Sequence, residues 1–140
     1  MEMTLQWEDF PDIGHYDGVL LENGKEIERI AVCDYTCTFQ QEKDRKYRFK
    51  RPYAFEVNWC NGFVMQHGFD FDSDAKKRKH GAYQGNCTHT VEDVKRWCEN
   101  WLAQRYMSAY YDTLKKLPAM EERAKWFENR GFVFDEHKND

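Results

Sequence analysis

An alternation of period two between Tyr47 and Phe71 narrows the possible folds more than any other feature. Tyr47, Phe49, Tyr53, Phe55, Val57 and Trp59 take odd positions, with Arg48, Lys50, Glu56 and Asn58 between them. Beyond Asn61-Gly62 the odd positions continue as Phe63, Met65, His67, Phe69 and Phe71. Successive side chains of a strand point to opposite faces, so the pattern predicts two strands sharing one apolar face. Asn-Gly between such runs signals a hairpin, because a type I′ turn needs positive φ at both central residues. Pro52 interrupts the run and marks a bend or an edge, since proline has no N–H to give to a ladder.

The same logic extends upstream. Leu5 and Trp7 alternate with polar neighbours, and the runs Val19–Glu22 and Lys25–Ile30 flank a first Asn-Gly pair, Asn23-Gly24. Tyr35, Cys37 and Phe39 alternate with Thr36, Thr38 and Gln40, and the polar stretch from Gln41 to Lys46 reads as a loop. Residues 72–89 keep no apolar period, which predicts a long mobile loop. Downstream the period becomes helical. Thr90 and Asp93 have capping-box spacing, and Val94, Trp97, Cys98, Trp101 and Leu102 form a core-facing stripe. Pro118 is expected to stop this helix at Leu117. A second helix follows from about Ala119 to Arg130, with Gly131 to end it and Phe132-Val133-Phe134 as a closing strand. Strands followed by helices predict one α+β domain over residues 1–140. It has an antiparallel meander sheet at about residues 3–71, two C-terminal helices packed on one face, and a short terminal strand.

With 140 residues, 41% hydrophobic and 16% aromatic, the chain can bury a core without staples. No apolar run approaches the roughly 18–20 residues that span a bilayer. Met1 to Phe10 carries acids where a secretory leader would carry Lys or Arg. Five cysteines, an odd number at irregular spacing, read as reduced thiols. Together these predict a cytoplasmic protein with no membrane partner.

Chemical motifs are sparse. Cys33 and Cys37 on one strand would lie about 13 Å apart, too far to share an ion. No cofactor is expected, and His80, Cys87 and His89 are the better metal ligands if any act as such. Cys60 and His67 are placed poorly for a nucleophile–base pair, and Asp70 with Asp72 reads as a solvated strand end. Gly-rich phosphate loops, nucleophile elbows and helical zinc motifs do not occur. The reading therefore favours a binder over an enzyme.

Charge gives the candidate surfaces. The net charge is −4, yet residues 1–34 hold nine acids against two bases, whereas residues 35–58 hold six bases against three acids. This predicts two electrostatically distinct faces. For protein binding the candidates are the acids Glu22, Glu26, Glu28 and Asp34, the basic loop Lys76, Lys77, Arg78 and Lys79, and the tyrosines Tyr106, Tyr110 and Tyr111. Tyrosine and arginine are enriched at interface centres. The alternative is an accessory nucleic-acid binder using Arg48, Lys50, Lys76, Lys77, Arg78 and Lys79, where bases would meet phosphates beside stacking aromatics.

The aromatic hairpin from Phe55 to Met65, the helix opening Thr90-Val91-Glu92-Asp93-Val94-Lys95 and the compact charged tail make a layout that covers most of the chain. It resembles small proteins carried by phages and prophages. Many of these are host-takeover or anti-defence factors, anti-CRISPR proteins among them, that act by binding. The resemblance implies an inhibitor that blocks a host nucleic-acid-handling or defence complex, protein or ribonucleoprotein, by steric or electrostatic occlusion. It assigns no residue a role.

Overall fold

The computed structural model describes residues 1–48, 51, 53–59, 65–71, 76–77, 83–84 and 87–136. Five strands form one antiparallel sheet in sequence order: β1 (Met3–Phe10), β2 (His15–Glu22), β3 (Lys25–Asp34), β4 (Tyr53–Trp59) and β5 (Met65–Asp70). The short pair β6 (Lys76–Lys77) and β7 (Tyr83–Gln84) forms a second ladder. Helix α1 (Thr38–Tyr47) joins β3 to β4, and helix α2 (Val91–Glu128) follows. The α+β class thus holds. The chain divides into two units, Met1–Asn100 and Trp101–Asp140.

The first hairpin closes as its dipeptide requires. Asn23 and Gly24 take φ of 51° and 80°, and Glu22 stands opposite Lys25. Further along, Leu21 faces Glu26 but Leu20 faces Glu28, so Ile27 is an extra residue in β3. This bulge reverses the phase of β3 and turns Glu28, Ile30, Val32 and Asp34 inward, where all four are buried. Ile30 lies between Gly18 and Trp59, and Val32 between Tyr16 and Val57. The backbone of β2 comes close to a neighbouring ring here: a Cβ at Gly18 would lie 2.9 Å from the Trp7 indole. The buried Trp59 indole donates from Nε1 to Glu28 at 2.6 Å.

In β4, Phe55, Val57 and Trp59 face inward as the alternation predicts. The Asn61-Gly62 turn lies outside the described residues. The ladder beside it sets Trp59 opposite Met65, one residue out of register for a two-residue turn. Odd opposite odd is what an apolar face on both strands demands, and a two-residue loop between these strands would have paired odd with even.

Four expectations change. Residues 38–47 form a helix where the sequence suggested a strand end and a loop, because Gln40 to Lys46 are mostly straight-chain helix formers that outweigh three alternating positions. Tyr47 therefore ends α1 and does not begin a strand. Lys76–Lys77 pair with Tyr83–Gln84 within the stretch read as an unstructured loop. Pro118 lies inside one continuous helix, and Phe132 to Phe134 form no strand.

Helix α2 starts with the expected capping box. Thr90 N–H donates to Asp93 at 2.9 Å, and Asp93 N–H donates to the Thr90 hydroxyl at 3.2 Å. Its opening turns lie on the inner face of the sheet. Val94 and Cys98 are buried, Lys95 reaches Asp9 at 2.9 Å, and Trp97 stacks on His67 at 4.3 Å.

The bond between Glu28 and Trp59 generates a test. Glu28→Ala removes a buried acceptor, which is expected to lower unfolding stability by about 1–3 kcal/mol in urea titrations. Glu28→Gln keeps an acceptor and should cost less. Equal stability of the alanine variant and the parent would show that this contact contributes nothing.

Candidate functional site

The four acids singled out by charge do not form one surface. Glu28 is inside the sheet, and the buried Asp34 caps the turn after β3, accepting from Thr36 N–H at 2.8 Å and its hydroxyl at 2.5 Å. Glu26 is exposed but engaged by Arg29 at 2.7 Å, whose hydrogen bond holds its carboxyl below the usual range. The same guanidinium reaches Asp17 at 2.9 Å and Glu8 at 3.3 Å. Glu22 is half-buried at the end of β2. Much of the acidic excess of the N-terminal third is thus answered within the fold.

The basic candidates separate as well. Arg48 ends α1 in the left-handed region, with φ of 56°, and Lys76 and Lys77 belong to the short ladder. Lys50, Arg78, Lys79 and His80 lie outside the described residues. Helix α1 carries its own basic group, which the loop reading of Gln41 to Lys46 concealed. Lys43, Arg45 and Lys46 line a shallow cavity of about 800 Å³ between the exposed Phe39 and Tyr47. Arg45 is bonded to Glu42, and the Lys46 ammonium lies 5.3 Å from the Tyr47 ring centre.

On the outer face of the sheet, Cys33 Sγ lies 4.0 Å from His15 Nδ1, and His15 Nε2 lies 2.8 Å from Asp17. Thiol, imidazole and carboxylate in a row have the order of a nucleophile relay. Burial, with the charge of Glu56 adding to it, pushes the Cys33 thiol up, which disfavours the thiolate that a nucleophile needs. Asp17 is shared with Arg29, and the row ties β2 to β3. Cys60 lies outside the described residues, while its suggested partner His67 is stacked against Trp97. Burial also raises Cys98, to about 12. Cys87 donates to the Asp70 carbonyl at 3.4 Å, and the His89 ring packs edge-on to Phe69. Among the described residues, no group of three His, Cys, Asp or Glu is placed to hold a metal.

The tyrosines belong to an exposed apolar surface on α2. In the unit Trp101–Asp140 every described residue from Ala103 onward is exposed. Tyr110 is 60% exposed, Leu117 46% and Met120 51%. With Tyr106, Ala124 and Phe127 they recur at helical spacing along α2. The helix ends in a Schellman motif: Phe132 N–H bonds the Phe127 carbonyl at 3.3 Å, Gly131 N–H bonds Glu128 at 3.0 Å, and Gly131 has φ of 91°. The Phe127 and Phe132 rings meet edge to face at 5.9 Å across this cap. The helix is thus closed locally at its C-terminus while its apolar face stays open. Among the described residues, no helix is long and apolar enough to cross a membrane.

Pro118 gives this segment a measurable weakness. It has no N–H for the Leu114 carbonyl, a defect on the order of 3 kcal/mol in a helix interior. Pro118→Ala is expected to raise the far-UV helical signal and the thermal midpoint of this segment. A fall in either would show that the proline supports the helix.

Compared with known proteins, the chain matches no family model, no curated protein and no solved structure.

Proposed function

We propose that this chain is a non-enzymatic protein-binding module whose working surface is the open apolar face of α2 from Tyr106 to Phe127. One observation carries the reading. Large apolar side chains recur at helical spacing from Tyr106 to Phe127 and stand exposed, with Tyr111 and Trp126 exposed outside that row. Contiguous apolar surface of this kind marks interaction sites, and each Leu, Met or Phe left in water forgoes about 1.5–3 kcal/mol that burial would return. Tyr106 and Tyr110 add broad, amphipathic rings of the sort that anchor interfaces. Occlusion of a nucleic-acid-handling or defence complex is the more specific form of this reading. With so many acids engaged internally, steric cover suits that form better than an acidic decoy does. A nucleic-acid role would draw on α1, where Lys43, Arg45 and Lys46 stand beside Phe39 and Tyr47.

A photo-crosslinking amino acid tests the surface. Placed at Tyr110 in the native host, it is expected to form covalent protein adducts, whereas at Lys115 on the opposite helix face it should form few. Equal yields at the two positions, or none at Tyr110, would remove this face as the binding surface.

A further inference from the structure

We infer that the occupant of this face is a second copy of the same chain, aligned in parallel as a short two-stranded coiled coil. The inference rests on reading the face as a binding surface and names its partner. Tyr106, Tyr110, Thr113, Leu117, Met120, Ala124 and Phe127 follow one another by alternating steps of four and three residues. That is three heptads, with Tyr110, Leu117 and Ala124 at the a positions and the others at d. Thr113 is the one aliphatic hydroxyl in the row. It bonds its own helix, at the Ala109 carbonyl 2.7 Å away, and so presents its methyl group outward. Ser108, Lys115 and Glu122 fall at f, opposite the seam, and all are polar. Pro118 falls at b, where its missing N–H leaves a carbonyl on the side open to water.

Charge sets the orientation. Lys116 and Arg123 occupy g positions, while Glu121 and Glu128 occupy e. In a parallel pair each g residue meets the e residue five places on in the partner helix. Lys116 then faces Glu121 and Arg123 faces Glu128, giving four opposite-charge pairs across the two-fold axis. Reversing one helix would set base against base and acid against acid. Glu121 already pairs with Lys125 at 2.8 Å on the open surface, an exposed contact that leaves it able to turn to the partner. Such pairs add little energy but select among alignments.

The test uses the purified full chain. Sedimentation equilibrium at micromolar concentration is expected to give twice the 17.0 kDa chain mass. Leu117→Asp is expected to abolish the dimer while the sheet's near-UV signal is kept. Lys116→Glu with Arg123→Glu should also abolish it, and adding Glu121→Lys with Glu128→Lys should restore it. The crosslinker at Tyr110 should attach to residues 106–114 of the second copy. A monomer, a larger assembly, failure of the four-charge exchange to restore the dimer, or attachment near Ala124 and Phe127 would overturn the inference. A purified monomer that still crosslinks at Tyr110 in the host would sink the self-pairing alone and leave the binding surface standing.

Discussion

The extra residue at Ile27 decides which side chains of β3 enter the core. Had the register set by the Asn23-Gly24 turn continued, Ile27 would face Leu20, and Arg29 would face Gly18 beneath the Trp7 indole. The bulge moves every later residue by one, so Ile30 and Val32 reach the inner face instead, each with no measurable exposure. Burying two such branched side chains contributes about 1.5–3 kcal/mol apiece, enough to outweigh the local distortion of the ladder. The bulge also draws Glu28 inward, and the Trp59 indole N–H makes that carboxylate tolerable there.

How much of this was legible depended on the range of the interaction. The Asn23-Gly24 turn, the Thr90–Asp93 box and the Gly131 cap are settled within a few residues, and each could be read from the letters. The bulge left a trace too: Ile27 sits at an odd position, Ile30 and Val32 at even ones, so the apolar phase slips once inside β3. Read as one continuous strand, the sequence hides that slip and leaves Glu28 and Asp34 among the surface acids. The odd-on-odd pattern across Trp59 and Met65 likewise contained the register, although Asn61-Gly62 argued for a pairing one residue off. Helix α1 was hidden because Tyr35, Cys37 and Phe39 mimic a strand, and only the run behind them favours helix.

Charge counted along the chain is a poor guide to charge on the surface. Nine acids in the first 34 residues suggested an acidic face, yet Arg29 gathers Glu8, Asp17 and Glu26, and Lys95 holds Asp9. Burial alone would lower the Lys95 pKa. The hydrogen bond and charge of Asp9 outweigh burial, and its pKa is raised. Two bases thereby answer four acids. A net count treats these groups as a common field, whereas short ion pairs spend most of their effect on each other. What distinguishes the C-terminal unit is apolar patterning, which survives on the surface because nothing within the described residues of that unit covers it.

The open face and the proline bear on one another. A helix that packs on little draws little stability from tertiary contacts, since ordering each backbone residue costs about as much as its hydrogen bond returns. Pro118 removes one of those bonds from the middle of the exposed stretch, and Thr113 and the adjacent tyrosines are only fair helix formers. Local caps at the C-terminus recover part of the deficit. Burial of the seam recovers more, because Leu117, Met120 and Phe127 each return about 1.5–3 kcal/mol once covered. The side chains that would bind a partner are therefore the ones that hold the helix together. In the proposed assembly, association and helix formation in this segment become one equilibrium, its stability set by partner concentration as much as by sequence.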